Sequence, residues 1–317
     1  MQRLFLIFFT IFVLAILGCD KKTSDTTANK SVRIVATIGM ITDVVKNVGG
    51  EHVEVIGMMG PGVDPHLYKP TAKDIKYLNS AQIIFYNGLH LEANKLGDVL
   101  AKMSGDTKSV AVTDGIDKTY LLSPTEFDGN YDPHLWFDVT LWMKATEKVR
   151  DTLIEVDIDN EVTYQNNAEH YLTQLIELHK YVKTQAERVP PEQRVLVTAH
   201  DAFNYFGKAY GFEVRGLQGI STVSEAAISD VQELASFIAE RQIPAIFVES
   251  SVPARSLEAV KAAVKSKGFD VQIGGVLFSD AMGDEGTSEG TYIGMVKHNI
   301  DTIVKALIGE TTHSEDE

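Results

Sequence analysis

The chain has 317 residues, enough for two ordinary domains, and its 44% hydrophobic share suits a globular fold, not a disordered or multi-span membrane chain. With 44 acidic against 29 basic residues the formal net charge is -15, which argues against nucleic acid or anionic lipid as the main partner. The single cysteine, Cys19, excludes an intramolecular disulfide and a zinc–thiolate cluster.

At the N-terminus, Arg3 precedes an apolar run from Leu4 to Leu17. Its length of about 14 residues fits an export signal better than a spanning helix, which needs about 20. Ile16-Leu17-Gly18-Cys19 resembles a bacterial lipobox, implying a signal peptide over 1–18 and a lipid on Cys19. An uncleaved anchor helix is the alternative, and both readings hold the rest of the chain at a membrane outside the cytoplasm. Residues 20–30 are polar and read as a flexible tether, and the polar tail 311–317 is expected to fray.

Next come apolar, β-branched runs at 32–38, 53–59, 82–86 and 109–112, then at 195–199, 213–217, 245–248 and 271–277. Helical patterns such as 72–79, 225–241 and 256–267 lie between them, so the fold class is α/β with mostly parallel sheets. Four strands in each half predict two similar lobes, at 31–159 and 190–310. Between them, 161–189 lacks Pro and Gly, and Val162, Ala168, Leu172, Leu175, Leu178 and Val182 recur at helical spacing. Asn160 is the expected N-cap, and Pro190-Pro191 ends the run. At 1.5 Å per residue this helix is about 43 Å long, the length of a domain. It is read as a strut over 160–189 joining the lobes, with a buried helix inside one domain as the alternative.

Two tripeptides, Asp64-Pro65-His66 and Asp132-Pro133-His134, stand out in the first half. Each Pro fixes φ, holds the preceding Asp out of the helical region and leaves a His at the start of a new segment. In the second half, His200 directly follows the 195–199 strand and Asp280 follows the 271–277 strand. Ligands of open α/β sheets collect beyond the carboxyl ends of strands, so each lobe offers two candidates. Three imidazoles and a carboxylate make a four-coordinate site for zinc and also suit manganese or iron. Each residue also has a structural reading: a helix-start His66, a His134 packed on Trp136, a core His200, a helix-capping Asp280. His90, after the 82–86 strand, is the reserve ligand.

Catalytic signals are thin, with no HExxH, GxSxG or GxxxxGK[ST]. Glu249, ending the 245–248 strand, is the one obvious general base, but it serves equally as an acceptor that orients an imidazole, the reading favoured here.

The segments GPGVDPHLYKPT at 60–71, DPHLWFD at 132–138, TAHDAF at 198–203, GIST at 219–222 with SEA at 224–226, and SDAMG at 279–283 carry a resemblance. They resemble the solute-binding lipoproteins of bacterial ABC importers for manganese and zinc, over nearly the whole mature chain. The resemblance implies metal ligands at His66, His134, His200 and Asp280, two α/β lobes joined by one long rigid helix, and the ion in the inter-lobe cleft. It also implies a monomer that delivers one Zn2+ or Mn2+, with Fe2+ a further candidate, to a membrane permease. His200 suits zinc, since manganese-dedicated members often carry Glu there. The short, His-free 118–131 segment departs from zinc-dedicated members, which often carry a long His-rich loop. Two other readings are a zinc-dependent extracytoplasmic hydrolase and a surface adhesin with a structural metal.

Overall fold

In the computed structural model, residues 31–310 are described apart from 93, 104–106 and 128. The export signal, Cys19, the tether and the polar tail lie outside the described residues. Strand β1 (Val32–Ala36) leads into helix α1 (Gly39–Gly49), followed by β2 (Val53–Gly57), α2 (Ala72–Ser80), β3 (Ile83–Tyr86), α3 (Asn94–Lys102) and β4 (Lys108–Ala111). Two consecutive long helices come next, α4 (Val139–Val156) and α5 (Glu161–Glu187). The second half runs β5 (Val195–His200), α6 (Asn204–Tyr210), β6 (Glu213–Gln218), α7 (Ile228–Arg241), β7 (Ala245–Glu249), α8 (Arg255–Ser266), β8 (Gln272–Leu277) and α9 (Tyr292–Ile308).

The strands form two four-stranded sheets with the same topology, β2-β1-β3-β4 and β6-β5-β7-β8, every pairing parallel. The two-lobed α/β expectation therefore holds. Parallel sheets are covered on both faces, so their central strands read as unbroken apolar runs. β5, Val-Leu-Val-Thr-Ala-His, is buried at every position. In each sheet the strand order reverses between the two central strands, β1 and β3 or β5 and β7. Ligands bind at such switch points, beyond the carboxyl ends of the strands. Gly216 of β6 lies flat against the turn after β5, where an added Cβ would sit 2.5 Å from the Asp201 nitrogen.

Helix α5 buries one face through Tyr164, Ala168, Tyr171, Leu175, Leu178, Val182 and Ala186. It packs on α1 and α4 of the first half and on α9 of the second. The Tyr171 hydroxyl donates to Asp43 of α1 at 2.8 Å, and the Tyr181 hydroxyl donates to Asp301 of α9 at 2.8 Å. A continuous hydrophobic core runs from the first sheet through α5 to α9, while a second core lies on the other face of the second sheet. Two local expectations need correction and a third needs refinement. Val162 is 68% exposed, and Tyr164 and Tyr171 take its place on the buried face. Asn160 stands at the N-cap position as expected, but its side chain makes no capping bond; its amide donates to Asp157 at 2.8 Å. Helix α7 starts at Ile228 instead of 225, where Asp230 accepts the Ala227 N–H at 2.7 Å. No helix among the described residues is long and apolar enough to cross a membrane.

Candidate metal centre

The two Asp-Pro-His tripeptides fold alike. Asp64 Oδ1 accepts the His66 N–H at 2.8 Å, and Asp132 Oδ1 accepts the His134 N–H at 2.9 Å. Each is an Asx turn, in which a short carboxylate bonds the backbone two residues on. Asp132 Oδ1 also lies 2.8 Å from His134 Nδ1, so one carboxylate fixes both backbone and ring. His200 is the last residue of β5, and Glu249 is the last residue of β7 beside it. Glu249 Oε1 accepts the His200 N–H at 2.8 Å, and its Oε2 sits 2.5 Å from His200 Nδ1. Asp280 lies in the loop that leaves β8.

His66, His134, His200 and Asp280 converge, with one ligand atom from each within 4.8 Å of the others. Their exposures are 2%, 0%, 0% and 1%, so the cluster is closed to solvent. His66 Nε2 is 3.3 Å from His134 Nε2 and 3.5 Å from Asp280 Oδ2. His134 Nε2 is 3.3 Å from Asp280 Oδ1, and His200 Nε2 is 3.3 Å from Asp280 Oδ2. Four donors set tetrahedrally at about 2.0–2.1 Å from a zinc ion are spaced by roughly 3.3 Å, so these separations suit a small divalent cation. Both Asp280 oxygens and His200 Nε2 make no well-formed hydrogen bond among the described residues and meet only the facing ligand atoms, at 3.3–3.5 Å. Buried polar atoms left unpaired cost about 1–3 kcal/mol each, and a cation among them would satisfy all at once.

The charges are strongly coupled. Burial pushes His66 down to about 3. Burial also opposes charge on His134, but Asp280 and Asp132 prevail and hold it up at about 9. His200, equally buried, is raised well above the usual histidine range by Glu249 and Asp280. Against burial, His200 and His134 hold the Asp280 carboxyl well below the usual carboxylate range. The shifts favour the ionised form of Asp280 and the protonated forms of His134 and His200, so an incoming metal must displace protons from those two rings.

The two halves of the chain brace each other's candidate ligands. Thr222 Oγ1 donates to Asp64 Oδ2 at 2.6 Å, and Asn204 Nδ2 donates to Asp132 Oδ2 at 3.1 Å. The Trp136 indole donates to the Ser279 carbonyl at 3.1 Å, one residue before Asp280. The Tyr292 hydroxyl in turn donates to the Trp136 carbonyl at 2.7 Å. Sequence reasoning found the four converging residues and Glu249 but missed the roles of Asp64 and Asp132, although the tripeptide itself was the signal. His90 is exposed and stands outside the cluster, which removes it as the reserve ligand.

The chain is similar over most of its length to known proteins. The family described as zinc-uptake complex component A, periplasmic (ZnuA) matches residues 34–306. The zinc-binding protein TroA of Treponema pallidum is 53% identical over 285 residues, covering 90% of this chain and 92% of that protein. The manganese-binding lipoprotein MntA of Bacillus subtilis is 46% identical over 293 residues, covering 92% and 95%. The solved structure of periplasmic zinc binding protein TroA from Treponema pallidum superposes with a TM-score of 0.85, covering 87% of this chain and 99% of that one. With a shared fold and near-full-length identity to proteins of this kind, the chain belongs to the ZnuA family of metal-binding, solute-binding proteins of ABC importers.

Proposed function

We propose that the chain is an extracytoplasmic receptor that takes one divalent transition metal between His66, His134, His200 and Asp280 and delivers it to an ABC permease. The observation that carries this reading is the enclosed set of three imidazoles converging on one buried carboxylate, whose oxygens make no well-formed hydrogen bond among the described residues. Asp132 and Glu249 orient His134 and His200 through their Nδ1 atoms, leaving both Nε2 atoms for the ion. The cargo is Zn2+ or Mn2+, with Fe2+ as a further candidate, since one near relative is named for zinc and another for manganese. In vitro affinity alone does not choose between them, because zinc outranks manganese at nearly any such site.

The receptor is read as a monomer held to the outer face of the membrane by a lipid on Cys19. Its lobes are 31–159 and 190–310, with 160–189 as the link. Family membership supports transport instead of the hydrolase and adhesin readings. Both carboxylate oxygens of Glu249 face His200, which suits an acceptor that orients the imidazole. The purified mature chain should hold one transition metal in native mass spectrometry. A chain with His66, His134 and His200 all changed to Ala that still retains the metal would sink the assignment.

A further inference from the structure

Glu92 is 4% exposed, carries a carboxylate, and has no part in the cluster just described. Its Oε1 accepts the Thr37 hydroxyl at 2.6 Å and the Asn87 N–H at 2.6 Å, and its Oε2 accepts the Gly88 N–H at 3.0 Å. Thr37 follows β1 and Asn87 follows β3, so this carboxylate bridges the switch point of the first sheet. Glu249 occupies the matching place in the second sheet, between the ends of β5 and β7.

The intervening turn is strained. Gly88, Leu89 and His90 have φ of 82°, 52° and 67°, and two of the three are not glycine. Left-handed non-glycine residues cost on the order of 1 kcal/mol or more each and gather where a function requires them. The turn aims the side chain of Asn87 out of this lobe's strand ends. Asn87 Nδ2 donates to the Pro133 carbonyl at 3.0 Å and to the Gly88 carbonyl at 3.1 Å. Both contacts are acceptors, which fixes the amide's orientation and leaves its Oδ1 buried without a partner among the described residues. Thr113 Oγ1 locks the same residue by donating to the Asn87 carbonyl at 2.7 Å. Pro133 directly precedes His134, so the far end of this network grips the backbone of a candidate ligand.

We propose that Glu92 and Asn87 are positioning residues that set the place of His134 in the metal centre by fixing the Pro133 carbonyl. The inference rests on the receptor reading above. Asp132 orients the His134 ring from one side, while the Glu92–Asn87 pair holds its main chain from the other. A site whose ligand backbone is fixed this firmly discriminates by geometry, and a loosened one accepts a wider range of cations.

The test uses the full mature chain as wild type, as Asn87→Ala, as Glu92→Gln and as the double variant. Zn2+ and Mn2+ affinities come from chelator competition, Co2+ absorption in the visible reports coordination geometry, and circular dichroism of the metal-free chain reports folding. Asn87→Ala is expected to keep the metal-free fold, weaken Zn2+ binding by about 10–100-fold, and change the position and intensity of the Co2+ bands. The double variant should lose no more than the larger single change, because the two residues act in series. A folded Asn87→Ala chain with wild-type Zn2+ affinity and an unchanged Co2+ spectrum overturns the inference. So does an equal loss for every cation with an unaltered Co2+ spectrum, which marks a purely structural role. If Glu92→Gln does not fold, the Asn87→Ala result decides alone. A wild-type chain that binds none of the three cations instead overturns the receptor reading itself.

Discussion

His66 and His134 face each other with 3.3 Å between their Nε2 atoms, yet they hold protons very differently. His66 is lowered by burial to about 3, whereas His134 is raised to about 9, burial being outweighed by Asp280 and Asp132. The ordinary value is about 6.5, so the two act on opposite sides of it. His66 contributes stability that is complete above about pH 6.5 and is lost as pH falls toward 3. His134 contributes stability that is complete below about pH 6.5 and is lost as pH rises through 9. As far as these two groups decide it, the metal-free chain should be most stable near pH 6.5, which urea midpoints measured in chelator between pH 4 and 9 will check. Metal binding runs differently, because the ion must displace the His134 proton. Zn2+ affinity should therefore climb with pH through about 9, with protons released from His134 and His200 on binding. Calorimetry in buffers of different ionisation enthalpy counts those protons. Asp280→Asn should remove the one anion that faces all three imidazoles and lower Zn2+ affinity by more than the roughly 10–100-fold typical of an outer-shell change.

At the level of elements, the middle helix joins the two sheets into one cooperative body. Leu175 is fully buried near the centre of α5, and Leu175→Ala should cost about 2–5 kcal/mol. Because α5 packs on α1 and α4 as well as α9, both lobes should melt in one transition, at a midpoint lower than wild type by differential scanning calorimetry. Val162→Ala, on the exposed first turn, should stay within about 0.5 kcal/mol of wild type. This contrast also shows how far the chain could be read unaided. The strands were legible because both faces of a parallel sheet are covered, so buried strands such as β5 are continuous apolar runs. The buried face of α5 was legible in period but not in detail. Apolar spacing favours Val162, whereas the tyrosines at 164 and 171 bury their rings and bond Asp157 and Asp43 through their hydroxyls. At the site, the four converging residues stood beside strand ends or in repeated tripeptides, where local pattern is informative. The long-range partners of Thr222, Asn204 and Trp136 were not legible, although the packing of Trp136 against His134 was. These side chains meet their partners across 158, 72 and 143 residues of sequence, and only the folded chain brings them there.

For the whole molecule, the bracing between halves predicts a modest response to metal. With Trp136 on Ser279, Asn204 on Asp132 and α5 tied to both α1 and α9, small-angle scattering of metal-free and Zn2+-loaded chain should give nearly equal radii of gyration. A wide hinge closure would contradict the role given to α5. The metal should still raise the unfolding free energy by mass action, by about 4 kcal/mol at a thousandfold excess over the dissociation constant. A chain stripped of metal that remains folded would separate this behaviour from that of a structural zinc site.

The Asp64 carboxylate has one oxygen on the His66 backbone and the other on Thr222 of the opposite half. Parting the halves at this contact would disturb a candidate ligand, so this carboxylate is expected to influence how long the ion stays. Thr222→Val would remove a hydrogen bond to a charged group, worth about 1.5–3 kcal/mol. Stopped-flow chelation should then show zinc leaving roughly ten times faster or more, with entry little altered. A permease that draws the 219–227 loop aside would achieve the same release without touching the ion, so unloading would start at the rim of the cleft and reach the metal through one shared side chain.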